Sequence, residues 1–156
     1  KGVMMIGEGP GADEDRQGRP FVGRSGILLD KILASVDLSR EDIFITNIVK
    51  CRPPGNRDPR EEEVSACWPY LEKQIRLLKP RVILTLGSPA VKTLLDTPTG
   101  IGRLRGRVHE FQGIPLIPTY HPAYLLRSYT LDNRKKVWAD VKMLVELLER
   151  ENETKD

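Results

Sequence analysis

Four short segments concentrate the residue types that do chemistry. Gly7 to Gly11 sets Glu8 among three glycines, with Asp13, Glu14 and Asp15 close behind. Asn47 to Asn56 places a carboxamide ahead of Lys50, Cys51 and Arg52, Gly87 to Pro89 is a short Gly-Ser-Pro turn, and His121 to Arg127 places an imidazole ahead of Tyr124, Leu125, Leu126 and Arg127. A carboxamide offers one acceptor and two donors, enough to read the polar edge of a planar ligand. An imidazole N–H can stabilise negative charge as it develops. Carboxylates in a glycine loop can position water or a cationic centre, and glycines let a ligand approach main-chain amides closely. The first loop superficially looks like a dinucleotide cradle. That role needs a helix to open at once so that its N-terminus can hold pyrophosphate, whereas Pro10 interrupts the loop and Ala12 to Gly23 is polar.

These segments need elements to position them. Val3 to Ile6, Ile43 to Val49 and Val82 to Leu86 are apolar runs of strand length ending in turn residues. Ser25 to Val36 and Arg60 to Leu78 carry apolar residues at helical spacing between them, the alternation that gives parallel βαβ units. A further strand pair fits Val108 to Phe111 and Pro115 to Thr119. A last helix carries Val137, Val141, Leu144, Val145 and Leu148 on one face, with a polar tail from Glu149 expected to fray. The expectation is an α/β fold, three layers αβα around a central, mostly parallel four-stranded sheet, in a single domain spanning 1–156. In such sheets ligands bind beyond the carboxyl ends of the strands. All four chemical segments follow strands or the turns that leave them.

At 156 residues, 39% hydrophobic and 30% charged, the chain has the composition of one globular domain. It contains no apolar run of the roughly 18 to 20 residues that cross a bilayer, and it is read as cytoplasmic, monomeric and without a membrane partner. A net charge of +3 permits a polyanionic partner without requiring one. Arginines and lysines at 16, 19, 24, 50, 52, 57, 60, 103, 105 and 107 cluster in glycine- and proline-rich stretches, which places positive charge on loops.

The runs GEGPGADEDRQGRPFVGRSG, TNIVKCRPPGNRDP and HPAYLLR, in that order, with a second cysteine downstream of the second, resemble the family four (iron–sulfur) uracil-DNA glycosylases over nearly the whole chain. The resemblance implies excision of uracil flipped out of DNA, the first step of base excision repair, with uracil-containing DNA as partner. Such an enzyme must hold the extruded base in a snug pocket and read its Watson–Crick edge. The resemblance makes Phe21 the stacking surface, Gly9 and Asn47 part of the uracil pocket, and Glu8 and Glu14 its acids. Asn47 can meet uracil N3–H and O4, a pattern that cytosine reverses. His121 is the catalytic candidate, its N–H directed at uracil O2 as charge develops there. His109 lies in an alternating strand pattern and is read as structural. Tyr124, Leu125, Leu126 and Arg127 form the expected DNA-binding loop, with the leucines as wedges or, alternatively, buried under a helical turn. Arg57 is a further expected DNA contact.

Cys51 and Cys67 are the only cysteines. The resemblance makes them metal ligands of a 4Fe–4S cluster together with an upstream pair that these residues do not include, so two of four ligands are missing. A sequence trimmed at its N-terminus is the expected reason. The position that carries a water-activating aspartate in the best-known uracil glycosylases is Gly9. No histidine lies between Cys51 and Cys67, which separates the chain from the branch that traps uracil covalently. The alternative function is a non-catalytic module that binds deaminated DNA on the same scaffold.

Overall fold

The computed structural model of the protein describes residues 2–9, 23–49 and 60–155. Within them lie strands β1 (Val3–Gly7), β2 (Ile43–Asn47), β3 (Val82–Leu86), β4 (His109–Phe111) and β5 (Ile114–Thr119). The helices are α1 (Arg24–Ala34), α2 (Glu61–Leu78), α3 (Ser88–Leu95), α4 (Ile101–Leu104), α5 (Pro122–Arg127) and α6 (Leu131–Lys155), with a 3-10 turn at Arg40–Asp42.

The strands form one sheet in the order β2-β1-β3-β5-β4. The first four are mutually parallel, and β4 runs antiparallel to β5. The expected four-stranded parallel sheet is therefore extended by a fifth strand. The extension is a tight hairpin in which Phe111 pairs with Ile114, and the two residues between them, Gln112 and Gly113, have φ of 48° and 84°. Two positive φ values in a two-residue loop match the right-handed twist of the flanking strands.

Continuous apolar runs bury both faces of the central strands, as parallel sheets require. Every residue of β1 and β3 is buried. On one face Val3, Met5, Val82, Leu84, Leu86 and Ile117 pack against Leu29 and Leu33 of α1 and Leu144 and Leu148 of α6. On the other face Met4, Ile6, Ile83 and Leu116 meet Leu71 and Ile75 of α2 and Ala90, Val91 and Leu94 of α3. The three layers follow from those two interfaces. Each large side chain buried there stabilises the fold by about 1.5 to 3 kcal/mol relative to exposure.

Most boundaries move by a residue or two from the sequence reading, and two of the changes stand out. The second strand ends at Asn47, with Ile48 and Val49 beyond it. The last helix does not fray at Glu149 but continues to Lys155. Glutamate and arginine are good helix formers, and each residue added to an existing helix gains a hydrogen bond without a new nucleation cost. Among the described residues no helix is long and apolar enough to cross a membrane.

Candidate active site

The parallel register sets the strand exits side by side. Gly7 pairs with Asn47, Ile6 with Thr85, and Leu86 with Thr119. Backbone bonds continue past the strands: Ile48 N–H donates to the Gly7 carbonyl (2.9 Å), Val49 N–H to the Glu8 carbonyl (3.0 Å), and Gly87 N–H to the Thr119 carbonyl (2.9 Å). The first, second and fourth chemical segments thus share one edge of the sheet with the Gly87 turn between them.

His121 is the N-cap of α5, preceded by β5 and Tyr120. Its Nδ1 accepts the Ala123 N–H at 2.9 Å. An accepting Nδ1 leaves the ring proton of a neutral imidazole on Nε2. Burial, reinforced by the positive charge of Arg127, lowers the His121 pKa from 6.5 to about 4, so the neutral ring is the form present near pH 7. The imidazole rests over the exit of β3. A Cβ built on Gly87 would lie 3.2 Å from His121 Cβ and 3.9 Å from its Cγ and Cδ2, and Gly87 has a φ of +90°.

Asn47 stands at the other side of this edge. It is half-buried, and its Oδ1 is fully shielded from solvent. Three strand spacings of about 4.8 Å separate β2 from β5, roughly 14 Å across the edge. His121 leans over β3, and between β3 and β2 lies the exit of β1, where Glu8 and Gly9 are half-buried. An imidazole and a carboxamide on the same edge of the sheet carry the donors and acceptors that a planar base could meet. Phe21, Glu14, Arg57 and Cys51 lie outside the described residues.

The segment after His121 takes the buried alternative at Leu125. It forms the short helix α5, and Leu125 is 2% exposed, packed with Val137 and Val141 against Leu28 and Ile32. Leu125 is a core residue and cannot serve as a wedge between bases without leaving that cluster. Leu126 is half-buried and Arg127 exposed, so they remain on the outer side of the turn. The Tyr124 ring stacks on Tyr120, centroids 4.8 Å apart.

The loop cations need a correction. Arg105 turns inward, where its Nη2 and Nε donate to the two oxygens of Asp140 at 2.9 and 3.1 Å. Asp140 is fully buried and also accepts from Thr119 Oγ1 at 2.7 Å. Asp140 carried a signal that the sequence reading passed over: it is an acid beside Val137, Val141 and Leu144 on the apolar face of α6. Gly87 carried a weaker one, its place between a buried strand and Ser88-Pro89. His109 donates from Nε2 to the Leu104 carbonyl at 2.8 Å, in keeping with a structural role.

Cys67 sits half-buried on α2. Among the described residues no group of three or more histidines, cysteines, aspartates or glutamates could hold a metal ion. A cluster of the expected type takes four thiolates, and the sequence has two cysteines. The residues present do not by themselves fit it.

The family model of the uracil DNA glycosylase superfamily matches residues 1–142. A type-4 uracil-DNA glycosylase of Thermotoga maritima is 42% identical over 151 residues, covering 96% of this chain and 79% of the relative. One from Pyrobaculum aerophilum is 47% identical over 138 residues, 83% of this chain and 70% of the relative. A type-5 uracil-DNA glycosylase of Thermus thermophilus is 33% identical over 142 residues, 81% of this chain and 63% of that protein.

Proposed function

The chain belongs to the uracil-DNA glycosylase superfamily, and on that premise we propose that it hydrolyses the N-glycosidic bond of uracil flipped out of DNA. The observation that carries this reading is the state of His121: neutral, its Nδ1 held by the Ala123 N–H, its ring proton on Nε2 at the mouth of the sheet. As the C1′–N1 bond breaks, its electron pair passes into the base and negative charge gathers on uracil O2. A donor fixed there before the reaction stabilises the transition state more than the ground state. A neutral imidazole can keep its own proton through this step, donating a hydrogen bond rather than transferring charge. Water adds to C1′, one of its protons ends on the departing uracil anion, and free uracil and an abasic deoxyribose result.

Asn47 reads N3–H with its carbonyl oxygen and O4 with its amide N–H. Cytosine offers an acceptor and a donor in those places, and the mismatch is costly in a dry pocket. Gly9 lets the base approach the main chain, Phe21 stacks on its face, and Glu8 and Glu14 orient water or offset positive charge on the sugar. Tyr124, Leu126, Arg127 and Arg57 meet the DNA flanking the extruded nucleotide. Residues 1–156 act as one domain and as a monomer, in the cytoplasm. Cys51 and Cys67 would supply two of the four thiolates that a 4Fe–4S cluster takes, and such a cluster would hold structure rather than do chemistry.

Alkaline cleavage of a uracil-containing oligonucleotide after incubation with the protein, beside a thymine control, tests the activity. Strand scission confined to the uracil substrate is expected. Binding without scission would replace the enzyme by a binding module. For the cluster, the full-length protein should be brown, absorb broadly near about 400 nm, and lose iron in Cys67→Ala. A colourless, iron-free, fully active protein would overturn that assignment.

A further inference from the structure

We propose that Asp140, Thr119, Arg105 and Gly87 form a positioning assembly that fixes where His121 stands at the sheet edge. The inference rests on the reading of His121 as the donor to the leaving base, and it concerns residues that do not themselves reach the base.

The first part is the buried carboxylate. Asp140 on α6 is 0% exposed, and both its oxygens are engaged: Oδ1 by Arg105 Nη2 at 2.9 Å, Oδ2 by Arg105 Nε at 3.1 Å and by Thr119 Oγ1 at 2.7 Å. Arg105 Nη2 also donates to the Lys136 carbonyl at 3.4 Å. Removing two charges from water costs more than such a pair commonly returns, and apolar side chains could fill the same space. What apolar packing could not supply is direction. A forked guanidinium–carboxylate pair has one good geometry, and here it aims a carboxylate oxygen at the hydroxyl on the last residue of β5.

The second part is the strand end itself. Thr119 is held through its hydroxyl by α6 and through its carbonyl by the Gly87 N–H at 2.9 Å. Only Tyr120 separates it from His121. The third part is the bare Cα of Gly87. With no side chain there, His121 Cβ settles 3.2 Å from where a Cβ would be. The chain is thereby restrained at 119 from two directions and at 121 from below, while the Ala123 N–H sets the ring's rotation. A donor displaced by about 1 Å can lose on the order of 100-fold in rate, so restraints of this kind belong to catalysis and not to stability alone.

The test is single-turnover excision at saturating full-length enzyme, with DNA affinity measured alongside, for Thr119→Val, Thr119→Ser, Asp140→Asn and Gly87→Ala, each alone and combined with His121→Ala. Thr119→Val should slow excision about 10-fold and Gly87→Ala about 100-fold, with affinity within about threefold of wild type, while Thr119→Ser keeps nearly the full rate. On the His121→Ala background the same substitutions should change the rate less than about twofold, because nothing remains to be positioned. Single variants at wild-type rate would overturn the proposal, and so would undiminished effects in the absence of the imidazole. Should Asp140→Asn fail to fold, the nearly isosteric Thr119→Val still decides. If His121→Ala itself excises at the wild-type rate, the fault lies with the reading of His121, a result distinct from either of those.

Discussion

The two sides of the proposed base site are built differently. His121 follows β5 and leans over β3; β3 is buried along its whole length, and the end of β5 is tied through Thr119 to the buried Arg105–Asp140 pair and to the Gly87 N–H. Asn47 ends β2, an edge strand in which Thr46 alone is buried and Phe44 is 40% exposed. Thr46 Oγ1 donates to Gln74 Oε1 of α2 at 2.9 Å. The group proposed to meet developing charge stands on the enclosed interior, and the group proposed to test base identity stands on the edge. Rate should therefore depend on the one side and selectivity on the other.

The comparison breaks most directly at His121. His121→Ala should lower single-turnover excision by roughly 100-fold or more, about 3 to 4 kcal/mol of transition-state stabilisation, while DNA affinity changes little. A variant within about threefold of wild type would place the chemistry elsewhere. On the same side, Leu125→Ala should destabilise the fold by about 2 to 5 kcal/mol in urea denaturation, because Leu125 is enclosed by α1 and α6. Leu126→Ala should cost much less stability and act on DNA affinity instead; the reverse ranking would restore Leu125 as the exposed wedge.

On the edge side, Asn47→Asp should relax or reverse the preference for uracil over cytosine, since a carboxylate cannot donate to O4. Unchanged selectivity would end the base-reading role. The smallest effect sharpens the contrast by pH. His121 titrates near 6.5 when unfolded and at about 4 when folded. Between those values the unfolded chain binds a proton that the folded chain refuses, so stability declines as pH falls from about 6.5 toward about 4 and is indifferent to this group above that window. Imidazole NMR should give the folded midpoint directly, and a value near 6.5 would contradict a buried neutral ring.

Much of this was legible from the residues. Val82 to Leu86 has the boundaries its apolar run predicts, and the rule that ligands gather at strand exits leads to Asn47 and His121 without any coordinates. What escaped has a physical reason. Arg105 reads as one more loop cation because its partner lies 35 residues away, beyond any local pattern. Leu125 and Leu126 are neighbours of the same type, and the six residues of α5 are too few for periodicity to say which faces inward. The fifth strand was visible as half of a hairpin, but its three residues make it an appendage of β5 that no parallel repeat announces. The hydroxyl bond of Thr119 to Asp140 joins segments 21 residues apart through side chains, which no composition or spacing encodes.

The sheet's gradient of cover has a dynamic consequence. Backbone amides in the fully enclosed β1 and β3 should exchange with solvent deuterium only through global unfolding, whereas those of β2 open through smaller, cheaper fluctuations of the edge. A base clasped between Asn47 and His121 would tether the loose edge to the slow interior. Free uracil should then slow deuterium uptake in β2 while leaving β3 unchanged, and the occupied site would be visible as a change in the mobility of one strand.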